Sequence, residues 1–333
     1  MLPDLFSDPF GESSPMQFSK RLRLLGGDFH FESNSRRLMN LVDSAYAGLP
    51  HHRLSTPVPK FQVRLLSTSG AKYRKQAQPP PLTMLAGGGF LGGATAQSNF
   101  VAISARGQGA LVVVSPDMLL FSYHTRYELI EFAVFTLAAR AQGLVPLHAA
   151  CVGQGGRGLL LMGPSGAGKS TVAMLCLLQG LDFVSEDSVF VSPQTLQATG
   201  TANFLHVRSD SLHWLKGTAE AAAIRKSPVI QRRSGVRKFE VDLRRGGHRL
   251  APSPLRIVGI VFLSPKSAGK RPLLEPLGNA DMVPRLELAQ AYAANQPQWR
   301  TFRKSAAGIK AFELRRGRHP LEAVDMLRSL LVG

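Results

Sequence analysis

Hydrophobic positions along this chain follow two periods, one helical and one of strands. Residues 34–47 carry Leu38, Leu41, Val42 and Ala45 on one face, which predicts an amphipathic helix. Ser33-Asn34-Ser35 marks its start, and Gly48 and Pro50 its end. Residues 127–142 repeat the pattern through Leu129, Ile130, Ala133, Val134, Leu137 and Ala138. Alternation over 21–31, interrupted at Gly26-Gly27, predicts strands, as does 61–66. Two further strands are expected at 110–114 and 118–122, around Ser115-Pro116-Asp117. Residues 147–152 read as one strand, turning at Gln154-Gly155-Gly156-Arg157 into the apolar run 158–162. That pair predicts a β-hairpin. An apolar helix at 169–178 follows, then a strand, an acidic turn and another strand over 180–192.

Other stretches lack a period. Residues 1–17 predict a loose arm, and the polar, Pro-ended stretch 67–81 a loop or linker. Gly87-Gly88-Gly89 and Gly92-Gly93 read as turns, because no helix follows them in a dinucleotide-binding pattern. A boundary near residue 143 gives three parts: a flexible arm (1–17), an N-terminal accessory α/β domain (18–143) and a C-terminal domain (144–333).

The C-terminal part contains Gly163-Pro164-Ser165-Gly166-Ala167-Gly168-Lys169-Ser170, followed by Thr171. It satisfies the phosphate-loop pattern G-x-x-x-x-G-K-[ST] at every fixed position. Glycines let the backbone close around phosphates with its N–H groups inward. Lys169 supplies a point charge to the β/γ-phosphates, and the Ser170 hydroxyl a Mg²⁺ contact. A strand before and a helix after are the context the motif requires. Glu186-Asp187 falls about 16–17 residues past the loop, at the carboxyl end of a strand, where ligands bind in open α/β sheets. A phosphoryl-transfer site needs a carboxylate for Mg²⁺ and a group to take a hydroxyl proton. Adjacent carboxylates could divide those tasks. His148 lies on the strand before the hairpin, which could return its imidazole toward the loop to tune a carboxylate or touch phosphate.

Composition narrows the classes. The chain has 333 residues, 44% of them hydrophobic. No apolar run reaches the ~18–20 residues of a membrane span. The first residues show no secretory pattern, and Cys151 and Cys176 are too few for a disulfide framework. Buried thiols in a cytoplasmic protein are the expectation. The formal charge is +18 and the isoelectric point about 10.6. The basic residues form scattered clusters without zinc-finger, basic-zipper or RNA-binding signatures, so a surface for acidic partners or nucleotides is expected rather than nucleic-acid binding. An ABC-type ATPase would need LSGGQ, which is absent.

Leu147-His148-Ala149-Ala150, the phosphate loop through Thr171, and Phe183-Val-Ser-Glu-Asp-Ser-Val189 together resemble the catalytic domain of the HPr kinase/phosphorylase family. The resemblance is closest to HPr-kinase-related serine kinases found beside peptide-modification genes. It covers roughly residues 145–333, including 311–320 as a strand and 321–331 as a last helix. It implies an α/β P-loop kinase domain of the HPr kinase/phosphoenolpyruvate carboxykinase type, mostly β around the site, with a smaller N-terminal α/β domain. The cofactors implied are ATP and Mg²⁺, and the reaction is transfer of the γ-phosphoryl group to a serine hydroxyl. The acceptor implied is a peptide or small protein, such as a ribosomally made precursor peptide. By the same resemblance, residues 163–171 bind the nucleotide, and Ser170 and Asp187 serve the metal. His148 assists the acidic pair, and Glu186 takes the place of the catalytic Asp. Glu186 is one methylene longer than that Asp, which leaves Asp187 as the alternative base. The family's phosphorylase segment has its nearest counterpart at 254–262, which keeps Arg256 and Gly259 but lacks the acidic residue and paired glycines. Phosphorylase activity and HPr itself as substrate are therefore not expected. A nucleotide-binding regulator with little turnover and a small-molecule hydroxyl kinase are the alternatives, and a homo-oligomer is compatible with each.

Residues 225–249 hold nine Arg and Lys side chains, broken by Ser227-Pro228, Ser234-Gly235 and Gly246-Gly247. A solvated hairpin, or a basic loop closing over triphosphate or an acidic peptide, are the two expectations. Lys238 is the best-placed candidate.

Overall fold

The computed structural model describes residues 14–68, 78–95 and 98–332. The arm expected at 1–17 lies outside them through residue 13, as does 69–77 of the expected linker. Among the described residues, no helix is long and apolar enough to cross a membrane. The chain forms two compact units: one from the described parts of Met1–Leu22, Phe29–Ala45 and Lys60–Leu137, the other from Arg23–Asp28, Tyr46–Pro59 and Ala138–Gly333.

The N-terminal part builds a seven-stranded sheet from β1 (Phe18–Leu24), β2 (Gly27–Ser33), β3 (Lys60–Ser67), β4 (Leu82–Gly87), β5 (Phe90–Thr95), β6 (Asn99–Ser104) and β7 (Gly109–Val114). Its spatial order is β1-β2-β3-β7-β6-β5-β4. Strand β3 buries Phe61, Val63 and Leu65 and exposes the residues between, the period of two that marks one covered face. Helices α1 (Arg36–Tyr46), α2 (Ser122–His124) and α3 (Phe132–Gln142) complete this region, with Leu38 and Val42 fully buried on α1.

Several expectations change here. Gly92 and Gly93 sit inside β5 and not in a turn, and β4–β6 carried no periodic signal. Gly92 is there because β6 passes close: a Cβ would meet the Val101 carbonyl oxygen at 2.7 Å. The strand expected at 118–122 is a 3₁₀ turn at Met118–Leu120 leading into α2. The Ser115 hydroxyl accepts from the Met118 N–H at 3.3 Å, a local bond that competes with a ladder. The helix expected over 127–142 begins instead as a π-helical turn, Thr125–Glu131, before α3.

Among the described residues, the C-terminal part contributes twelve strands and six helices. They are β8 (Val145–His148), β9 (Ala150–Gln154), β10 (Arg157–Met162), α4 (Lys169–Leu178), β11 (Asp182–Ser185), β12 (Ser188–Val191), β13 (Gln197–Gly200), β14 (Phe204–Val207), α5 (Ala219–Arg225), β15 (Val229–Gln231), β16 (Arg237–Asp242), β17 (Leu255–Ser267), β18 (Leu274–Leu277), α6 (Asn279–Ala289), α7 (Ala291–Ala294), α8 (Trp299–Ala306), β19 (Lys310–Arg316) and α9 (Leu321–Val332). Nine strands form a mixed sheet along β11-β9-β10-β17-β13-β12-β8, with β19 beside β17 and β18 beside β19. The parallel pairs in this sheet are β10–β17 and β17–β19, and the remaining neighbours pair antiparallel. Strands β14, β16 and β15 make a separate small sheet.

Strand β10 explains the uninterrupted apolar run before the phosphate loop. Leu159 and Leu161 enter one core, with residues of α4 and α9 such as Ala173, Cys176 and Leu327. Leu160 and Met162 enter a second core, with Met282, Leu286 and Phe302 of α6 and α8. A strand covered on both faces has no polar side to show. Both cysteines are buried free thiols, and burial pushes Cys176 up to about 12.

The single strand expected over 147–152 is broken at Ala149 into β8 and β9. Likewise β11 and β12 do not pair with each other across a turn, as a hairpin would. β9 pairs with β11 and β8 with β12. The matches Cys151–Ser185 and His148–Ser188 keep one register through the break, and the Ala149 N–H donates to the Asp187 carbonyl at 3.1 Å. Glu186-Asp187 is therefore a corner in a continuous two-stranded ribbon. β11 is antiparallel to β9, which is antiparallel to β10, so β11 points the same way as β10 and its carboxyl end, with Glu186-Asp187, lies on the side of the sheet where β10 runs into the phosphate loop. Arg256 lies at the start of β17 opposite Arg157, at the end of β10 remote from the phosphate loop, so the 254–262 counterpart is a core strand.

The β9–β10 hairpin has little room for extra atoms. A Cβ on Gly153 would lie 2.1 Å from the Arg157 carbonyl oxygen and 2.6 Å from Leu255. Gly153→Ala is expected to cost about 1–3 kcal/mol, the scale of overpacking, measured as a lower denaturant midpoint. The control Gln154→Ala, at an exposed position, should leave the midpoint unchanged.

Candidate active site

The turn after β10 and the first turn of α4 form the phosphate loop. Gly163, Gly166 and Gly168 have φ of 152°, 80° and 99°, a region costly for side chains. At Gly163 a Cβ would also meet the Leu263 carbonyl oxygen at 2.7 Å. Gly168 caps α4 with no side-chain hydrogen bond. The helix's first N–H groups are thus available to an anion, with the positive end of its dipole behind them. Lys169 Nζ donates to the Gly163 carbonyl at 2.7 Å, so the ammonium lies across the loop. Burial lowers the Lys169 pKa, and the charge of Asp187 opposes that shift. Arg316 Nη2 donates to the Gly166 carbonyl at 2.6 Å. Thr171 Oγ1 lies 3.0 Å from Ser211 Oγ.

The loop faces a cavity of about 580 Å³, within the usual range for a small-molecule site. His148, residues 164–171, Glu186 and Asp187 all line it. Gly163 belongs to the loop but not to the lining. The cavity also takes in His206, Arg208, Arg232, Lys238, Arg315 and Arg316. Basic groups outnumber the lining acids Glu186, Asp187 and Asp210, which suits a polyanion.

The two carboxylates have different surroundings. Asp187 Oδ1 is 2.8 Å from His148 Nδ1, and its other oxygen is 3.9 Å from Arg232 Nη2. Burial works to raise the Asp187 carboxyl, but the His148 bond and the charges of His148, Arg232 and Lys238 outweigh it and hold it at about 2. Asp187 is thus ionised throughout the neutral range. Glu186 is only 6% exposed. Its Oε1 accepts from His206 Nδ1 at 2.9 Å and from the His206 backbone N–H at 3.1 Å. Its Oε2 is buried with no hydrogen-bond partner among the described residues. A buried carboxylate oxygen without a partner is costly.

Sequence reasoning missed His206. It sits on β14, a four-residue strand that pairs with β16 so that His206 faces Glu240, and its Nε2 lies 3.2 Å from Glu240 Oε1. Burial lowers the imidazole pKa, but hydrogen bonds and charges from Glu186 and Glu240 outweigh it and raise His206 to about 9. The available signal was a histidine between Leu205 and Val207, both buried, across from a Glu in Phe239-Glu240-Val241.

The basic segment divides. Arg232 and Lys238, on the β15–β16 hairpin, line the cavity. Arg244 pairs with Asp242 at 2.7 Å and Arg249 with Asp182 at 2.9 Å, so those two brace the fold. Burial lowers the Lys238 pKa, with the charges of Glu186 and Asp187 acting in the other direction. Among the described residues, no group of three or more His, Cys, Asp or Glu side chains could hold a metal ion. A cation here would need ligand oxygens besides Ser170 and Asp187. That is how Mg²⁺ binds with substrate phosphates, and the phosphate loop beside them supplies the place for those phosphates.

No protein-family model matches the chain, and no curated protein matches it. Among solved structures, the HPr(Ser) kinase/phosphatase from Coxiella burnetii is similar to it at 13% identity with a TM-score of 0.28, covering 55% of this chain and 94% of that one. The chemistry of the site rests on its own geometry.

The Glu186–His206–Glu240 array makes a signed statement about pH. The folded pKa of His206, about 9, exceeds the ordinary ~6.5 of an unfolded histidine. Its contribution to stability is full below pH ~6.5 and is lost as pH rises through about 9. The wild-type melting temperature is expected to fall more steeply from pH 6.5 to 9.5 than that of His206→Gln. Parallel curves would remove the charged-array assignment.

Proposed function

We propose that this chain is an ATP-dependent kinase that transfers the γ-phosphoryl group to a serine hydroxyl of a peptide or small protein. One observation carries the proposal: a complete phosphate loop opens into the same cavity as two buried or half-buried carboxylates, each held by a histidine. In kinases with hydroxyl acceptors a carboxylate beside the transferable phosphate takes the hydroxyl proton. The serine acceptor and its peptide nature come from the resemblance of the motifs alone.

Bound ATP would supply the phosphoryl group, and Mg²⁺ would neutralise charge on its oxygens. The backbone N–H groups of 166–170 bind the phosphates. Lys169 exchanges the Gly163 carbonyl for a β/γ oxygen. Ser170 and Asp187 hold the cation, a role that suits Asp187 because it stays ionised and its charge reaches Lys169. His148 orients Asp187. Glu186, fixed through Oε1 by His206, offers Oε2 to the acceptor hydroxyl and takes its proton. Arg232 and Lys238 stand beside the carboxylates to offset charge that develops on the transferred group.

Transfer of label from γ-labelled ATP to serine-containing peptides tests the proposal. Lys169→Ala is expected to abolish transfer in a protein that remains folded, since its ammonium hydrogen-bonds a carbonyl of the loop itself. Full activity in that variant would sink the kinase assignment. ATP binding without transfer to any acceptor would favour a nucleotide-binding regulator, and transfer to small alcohols alone a small-molecule kinase.

The carboxylates should separate kinetically. Glu186→Gln is expected to lower kcat by ~10²-fold or more, the scale of a lost acid–base group, with the KM for Mg-ATP little changed. Asp187→Asn should shift the Mg²⁺ dependence to higher concentration, and His148→Ala should shift it the same way by a smaller amount. The reverse pattern would exchange the two roles.

A further inference from the structure

Part of the cavity lining has no role in phosphoryl transfer. There the 3₁₀ turn Asp210–Leu215 carries Trp214, which lines the cavity and is 38% exposed. An indole left this open beside a binding site is uncommon, because Trp buries a large apolar area when it can. Its ring contacts are edge-to-face: His213 at 5.4 Å and 80°, and His319 at 5.0 Å and 89°. Among the described residues, neither of these rings stacks parallel upon it. The adjoining lining residue Pro320 is apolar.

We propose that Trp214 is the platform on which the base of the donor nucleotide stacks. This rests on the nucleotide reading above. The direction of the phosphate chain carries it. The reactive end lies with Lys169, Asp187 and Glu186, as the loop lysine meets the β/γ-phosphates while loop N–H groups hold the α/β ones. The nucleoside must then leave along the first turn of α4. Thr171 of that turn is hydrogen-bonded to Ser211, three residues before Trp214 on the same 3₁₀ turn. The phosphate loop and the indole are thereby fixed to each other, and one cavity of about 580 Å³ spans both. The carboxylate end stays free for the acceptor. The ligand class is an aromatic nucleobase, held by its flat face.

The test compares Mg-ATP with Mg-tripolyphosphate, which has the phosphates without the base, on the full chain by calorimetry. Trp214→Ala is expected to weaken ATP about tenfold, the scale of a base–aromatic stack, and to leave tripolyphosphate unchanged. Trp214→Phe should keep most of the ATP affinity. Unchanged ATP affinity in Trp214→Ala, or equal loss for both ligands, would overturn the platform while leaving the phosphate-loop assignment in place. So would wild-type protein that binds ATP no better than tripolyphosphate. Wild-type protein that binds neither would overturn the nucleotide assignment and the platform together.

Discussion

The site depends on one constraint: a two-stranded antiparallel ribbon, shifted by one residue between Phe183 and Ser185, must hold its register from there around a corner. β8–β9 and β11–β12 run past each other, and the Ala149 N–H holds the Asp187 carbonyl at the bend. On one side of the corner β9 joins β10, which launches the phosphate loop. On the other side β8 brings His148 opposite Ser188, next to Asp187. Slipping the register by one residue would turn side chains to the opposite face, separating His148 from Asp187. The sheet path begins with β11–β9 and ends with β12–β8, so the ends of the sheet are successive pieces of the same two segments. That closure fixes the acidic pair against the parallel strands that deliver the loop.

Burying acids beside a polyanion site requires compensation, and the structure supplies it in two forms. Asp187 is held by charge: His148, Arg232 and Lys238 outweigh its desolvation. Glu186 is held by shape and charge together, through two donors of a single residue, His206, whose far nitrogen is anchored on Glu240. A buried ion set is weak evidence of stability, but removing one partner leaves an uncompensated charge. The array is better understood as positioning: it fixes one oxygen of Glu186 and leaves the other buried without a hydrogen-bond partner among the described residues.

Much of the C-terminal part was legible because its signals are local. The phosphate loop is defined by glycine conformations and a helix start, and α4 runs over the very residues its apolar pattern spans. The runs 158–162 and 181–192 also declared strands. What stayed hidden depends on partners distant in sequence. His206 has meaning only through Glu186 and Glu240, twenty and thirty-four residues away. The break at Ala149 comes from the ribbon bending and not from a breaker residue. In the N-terminal part, Gly92 and Gly93 looked like a turn because glycine's two uses, bending and close approach, are indistinguishable in a single sequence. Met118–Leu120 looked like a strand because a short apolar run carries no period of its own.

The glutamate at 186 shows how a flexible carboxylate is fixed in place. Its extra methylene would let the carboxylate wander, since each added rotatable bond multiplies side-chain conformers. His206 removes that freedom by binding Oε1 from both its ring and its backbone. The backbone bond matters most, because it ties the carboxylate to strand β14 and not to another mobile side chain. β14 is in turn paired to β16, the strand that follows the Arg232 hairpin and carries Lys238. One small sheet thus sets the reach of Glu186 and the position of the cation beside it.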